Sequence, residues 1–113
     1  MDKLTKYKQI VQKVIHEIAQ MTPSDDFSET QIIIDDERGH YLLFSVGWSE
    51  KRREYAPFVH IDVLPNNKVY LQHDGTDLKI ALWLSDKGIS KQDIVLAFHA
   101  PHHRAFIPEF AID

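Results

Sequence analysis

The chain has 113 residues, 43% of them hydrophobic and 27% charged, which is the balance of one ordinary globular domain. Its 13 Lys and Arg against 17 Asp and Glu leave a formal net charge of -4, which argues against a protein whose main task is coating nucleic acid. With no cysteine, disulfides, thiolate catalysis and cysteine-held zinc are all excluded.

Leu4, Tyr7, Val11, Val14 and Ile18 recur at three- and four-residue spacing, with Ile10 and Ile15 widening the stripe. That pattern predicts an amphipathic helix, and Pro23 stops it by disfavouring helical geometry at Thr22. Thr22 to Asp26 reads as a connector. Four strands are expected next. Glu29–Asp36 and His40–Ser49 flank Glu37-Arg38-Gly39, where glycine supplies the positive φ of a tight turn. Arg53–Leu64 follows, and Pro65-Asn66-Asn67 turns it into Lys68–His73. Short connections between consecutive strands imply an antiparallel meander.

Alternation assigns two faces. One is strongly apolar: Ile32 and Ile34, then Leu42, Phe44, Val46 and Trp48, then Val59, Ile61 and Val63, then Val69 and Leu71. It is expected to pack under helices. The other holds Gln31, Ile33, Asp35, Tyr41, Leu43, Ser45, Phe58, His60, Asp62, Tyr70 and Gln72, and its aromatics suggest contact with another protein. A second helix is expected over Thr76–Lys87, closed by Gly88. Ser90 to Asp93 resembles a one-turn helix start, and Ile94–Phe98 is too short an apolar run to assign. The tail is expected to be irregular but packed through Phe106, Ile107, Phe110 and Ile112. The expected fold is α+β: a single domain, 1–113, whose four-stranded meander lies under an N-terminal helix and a second helix in the C-terminal half. No run approaches a membrane span, and Lys3, Lys6, Lys8 and Lys13 break any leader-like core, so a cytoplasmic protein is expected.

Seven histidines are the unusual number. His60 and Asp62 lie two apart on one strand and share a face, a spacing suited to metal ligation or to a base with its orienter. No third ligand is identified, so a polar pair on the sheet outweighs a metal-dependent enzyme using His60 and Asp62. His99, His102, His103 and Arg104 are dense in sequence, yet adjacent residues usually point apart, which favours packing or surface roles. Lys51, Arg52 and Arg53 are the sharpest basic run, with Trp48 and Tyr55 near for stacking. Glu50 and Glu54 bracket them and favour a plain charged hairpin tip over a nucleic-acid contact. The acidic excess sits in residues 23–50, which carry one Arg against seven acids; Asp35-Asp36-Glu37 there reads as a solvated hairpin end rather than a cation site. No phosphate loop, dinucleotide fingerprint or nucleophile elbow occurs. No catalytic residue, cofactor or metal is expected. Tyr41, Phe58, His60, Asp62 and Tyr70 are the expected partner or oligomer contacts.

Several segments carry a resemblance. Met1 to Val11, Val46-Gly47-Trp48, and Arg53 and Tyr55 leading into Val59-His60-Ile61-Asp62 resemble XisI proteins, the fdxN element excision controlling factors of cyanobacteria. Lys68 to Gln72 with Asp74-Gly75-Thr76, and Asp93 to His99 with Pro101 and Arg104, continue the likeness over essentially the whole chain. Ile107-Pro108-Glu109-Phe110 and the apolar Leu82-Trp83-Leu84 differ from the usual family pattern. The resemblance implies an accessory factor in programmed DNA excision during heterocyst differentiation, acting alongside a recombinase and a companion protein, XisH, of nuclease-like fold. It implies an XisH-like partner, indirect association with DNA through a recombinase complex, and no catalytic motif; self-association as a homo-oligomer is expected as well, through the aromatic sheet face.

Overall fold

The computed structural model describes residues 2–22, 24–104 and 107–111. Pro23, Phe106 and Ile112, which the sequence brings into the helix stop and the packed tail, lie outside them. Helix α1 spans Lys3–Met21, and its first turn is capped by Asp2, whose Oδ1 accepts the Thr5 N–H at 2.7 Å. Tyr7, Val11, Val14, Ile15 and Ile18 are buried, as the three- and four-residue spacing requires. Thr30 then ties the chain back, its hydroxyl donating to the Thr22 carbonyl at 2.7 Å.

Strands β1 (Ser28–Asp35), β2 (His40–Ser49), β3 (Arg52–Val63) and β4 (Val69–Asp74) form the expected antiparallel meander. A fifth strand, β5 (Ile94–Leu96), pairs parallel with β4, so the sheet has five strands in the order β1-β2-β3-β4-β5 rather than four. Its three residues are all buried, which explains an apolar run without periodicity: a parallel strand covered on both faces has no polar side to show. Ala111 bridges to Val95 on the far side, and the Gln92 amide donates to the Pro108 and Glu109 carbonyls to hold the tail.

The crossover from β4 to β5 contains helix α2, Ile80–Asp86, shorter than the expected Thr76–Lys87. Asp74 Oδ1 accepts from both the N–H and the hydroxyl of Thr76, and Lys79 sits at φ 55, so the chain turns sharply before helical geometry begins. Gly88 ends the helix as expected, with φ +118. A short helix, α3, spans Pro101–Arg104 within the tail.

Both helices α1 and α2 contribute to one core with the inner side of the sheet: Ile80 and Leu84 join Val11, Ile15, Leu43, Val59, Ile61, Val69 and Leu71. The smallest extent is 23 Å, enough for one helical layer on one sheet and no third layer. The other side of the sheet is open over β1 to β3, where Ile33, Trp48 and Tyr55 are exposed, whereas at β5 Val95, beside Tyr70, is fully buried.

One face assignment is corrected. Tyr41 and Leu43 are fully buried under α1, because Tyr41 pairs with Ile61 and Leu43 with Val59, and direct cross-strand partners share a face. Leu42, Phe44, Val46 and Trp48 consequently point to the open side. In β2 both phases are apolar, so alternation alone could not choose between them. Tyr41 is thus no contact on the open face; its hydroxyl donates to Asp36 Oδ1 at 2.6 Å, and burial, with the Asp36 carboxylate beside it, pushes its pKa well above the ordinary tyrosine value. Phe58 is corrected as well. The β2–β3 register shifts at Leu43/Phe44, leaving Phe58 as the extra residue, and it packs against the core instead of beside Phe44.

A polar clamp joins α1 to the crossover: the Tyr7 hydroxyl donates to Asp93 Oδ2 at 2.5 Å, and Lys3 Nζ lies 3.2 Å from the same oxygen. Burial works to raise the Asp93 pKa, but the Tyr7 hydroxyl and the Lys3 ammonium outweigh it and hold the carboxyl below its ordinary value. A depressed carboxyl stabilises the fold above its unfolded pKa and loses that contribution as pH falls through the folded value. Asp93→Asn is expected to cost about 1 kcal/mol at neutral pH, and the gap to the native protein should close below about pH 4. Urea unfolding across a pH series measures it.

Candidate functional site

The open face carries its polar groups at the end of the sheet near the β1–β2 turn. The β2–β3 register sets His40 directly opposite Asp62, and strand alternation sets His60 on the same face. Asp62 Oδ1 takes His40 Nδ1 at 2.8 Å and His60 Nε2 at 2.8 Å. The two rings stand edge to face with centroids 6.5 Å apart. Gln72 donates from Nε2 to Asp62 Oδ2 at 3.1 Å. That reach depends on a second register shift, where His60 pairs with His73 and Ile61 with Leu71, so Gln72 is the extra residue of β4. Asp62 is only 8% exposed, the one buried charged residue among those described. Tyr70 lies opposite Asp62, as expected for the open face, and its hydroxyl accepts from Asn66 Nδ2 at 2.8 Å.

Beyond this cluster the open face is apolar and aromatic. Ile33 pairs with Leu42, and Phe44 stacks at 5.5 Å on Tyr55. Arg53 lies over both Trp48 (5.3 Å) and Tyr55 (5.5 Å). Ile33 is 43%, Trp48 55% and Tyr55 65% exposed, an unusual display for strand residues with these side chains. The structure thus joins Arg53 to the aromatics that the sequence placed near it. Lys51 and Arg52 are exposed at the β2–β3 turn beside it.

The C-terminal histidines do not converge with His60. His102 and His103 pack on each other at 4.2 Å, and His99 lies against Phe98 at 4.6 Å. Arg104 donates to the His99 and Ala97 carbonyls, so it closes the tail turn rather than facing a ligand. On the helix side, a concavity of about 850 Å³ lies past the end of α1, lined by Thr22, Ser28, Thr30, Ser45, Phe58 and Thr76 among others, and among the described residues Asp77 is its sole titratable group. Sequence reasoning found His60 and Asp62 but missed His40 and Gln72. The signal for His40 was the β2 phase, and for Gln72 a bulge that nothing in the composition announces.

Comparison with known proteins agrees with this fold over its full length. The family described as XisI protein matches residues 1–112. A crystal structure of a XisI-like protein from Anabaena variabilis is similar at a TM-score of 0.90 and 34% identity, covering 97% of this chain and 99% of that one. The fdxN element excision controlling factor XisI from the same organism is similar at a TM-score of 0.87 and 34% identity, covering 99% and 100%. No curated protein matches.

Proposed function

The chain belongs to the XisI family, and from that premise we propose that it is an accessory controlling factor that works by protein–protein contact through the open sheet face, with no chemistry of its own. The observation that carries this reading is a band of exposed Ile33, Trp48 and Tyr55, with half-buried Leu42 and Phe44 among them, on the side of the sheet away from α1 and α2. A cytoplasmic, XisH-like protein of nuclease-type fold is the proposed partner, with a second copy of this chain as a further occupant of the same face. The likeness to a protein named as an excision controlling factor supports a role in programmed DNA rearrangement. Among the described residues no helix is long and apolar enough to cross a membrane.

The test is co-purification with a co-expressed XisH-like protein, alongside sedimentation of the chain alone. Ile33→Asp combined with Trp48→Asp places two charges on an already exposed surface, so folding should survive while complex formation falls at least tenfold. Unchanged binding and unchanged oligomeric size would exclude the open face. One observation favours a second reading, direct DNA contact: Arg53 is held over two aromatic rings beside Lys51 and Arg52. That reading requires DNA binding by the isolated chain with a steep salt dependence, and the protein-contact reading requires none.

A further inference from the structure

We propose that His40, His60 and Asp62 form a binding site for one divalent transition-metal ion of the zinc type. Among the described residues this is where three metal-ligating side chains converge, their donor atoms all within 4.8 Å of one another. The donors come from two strands and are fixed by backbone register, which is how rigid sites are built. Two imidazoles and a carboxylate are a donor set that suits zinc and its neighbours and leaves further coordination positions open toward solvent or a bound partner.

Charge supplies the second argument. Asp62 is nearly buried, and no Lys or Arg among the described residues pairs with it; its contacts are two imidazoles and one amide. A carboxylate removed from water without a fixed cation is costly, and a dication at Oδ1 would supply what is missing. Gln72 meanwhile occupies Oδ2 and turns Oδ1 toward both rings, the outer-shell orientation that ligating carboxylates usually have.

Donors around a tetrahedral zinc stand about 3.3–3.6 Å apart for bonds of about 2.0–2.2 Å. The two contacts of 2.8 Å must open by roughly half an ångström or more, while the two imidazole nitrogens, within 4.8 Å of each other, come to the same spacing; both rings are partly exposed. Each ring must present a lone pair where it now faces the carboxylate, so its proton moves to the other nitrogen or to solvent.

The experiment is calorimetric titration of the untagged, chelator-treated chain with zinc chloride, checked by elemental analysis and by the d–d absorption of the cobalt(II) form. One equivalent is expected. His40→Ala and His60→Ala should each weaken binding at least tenfold, Gln72→Ala about tenfold. His102→Ala with His103→Ala should leave it unchanged. No binding by the native chain would overturn the proposal and leave a hydrogen-bonded network only. So would binding that survives the His40→Ala, His60→Ala double variant, or binding abolished by the change at His102 and His103. His40 and His60 are partly exposed, so these variants decide the matter even if Asp62→Asn fails to fold. Because the isolated chain is titrated, the outcome is independent of whether the open face binds a partner.

Discussion

Gly39→Ala is expected to destabilise the protein by roughly 3–5 kcal/mol, more than any other single-methyl addition at a turn. Two effects combine there. The residue sits at φ +79, a left-handed geometry that costs an L side chain about 1–2 kcal/mol. A Cβ at that position would also lie 2.0 Å from the Val63 carbonyl oxygen and 3.0 Å from its carbon, both backbone atoms that no rotamer change can move. The close approach is itself a structural bond: Val63 N–H donates to Gly39 O at 2.8 Å, and Gly39 N–H donates to Asp35 O at 2.8 Å. Gly88 is the internal control. Its φ is +118, but an added Cβ would meet nothing nearer than Ile10 Cδ1 at 3.6 Å, so Gly88→Ala should cost only backbone strain, roughly 1–3 kcal/mol. Guanidinium unfolding midpoints compare the two. Equal losses would mean that β2 and β3 can part at this end without penalty. They should not part silently, because His40 follows Gly39 directly, and separating the strands draws its ring away from Asp62.

Much of this fold is legible because its signals are local. The helical stripe of α1, the glycine at the β1–β2 turn and the Asn-rich turn before β4 each announce themselves within a few residues. Features set by distant partners are not. β5 is three apolar residues whose strand character comes from lying parallel to β4 across a crossover. The start of α2 was hidden by Asp74 and Thr76, which give the backbone a turn to make in place of a helical one. The site follows the same division. His60 and Asp62 could be paired from strand alternation, whereas His40 is 22 positions from Asp62 and joins it through register alone. A phase error of one residue in β2 puts His40 on the wrong face, which is why it looked like a scattered histidine.

That phase has a measurable consequence. Leu43→Ala is expected to cost about 3 kcal/mol, since Leu43 is fully buried among Val59, Ile61 and the α1 side chains, and truncation leaves a cavity. Leu42→Ala, one residue away and chemically identical, should cost about 1 kcal/mol, because its side chain is half-buried on the open face and not enclosed in the core. Equal denaturant slopes for the two variants would keep the comparison free of changes in the unfolded state. A reversed order would place Leu42, Phe44, Val46 and Trp48 in the core and dismantle the open face described above. The expected order carries a functional corollary. Leu43→Ala should weaken partner binding only as far as it unfolds the chain, whereas Leu42→Ala should weaken it while the fold stays intact. Separation of the two losses in one pair of neighbouring leucines distinguishes a surface that binds from a core that merely supports it.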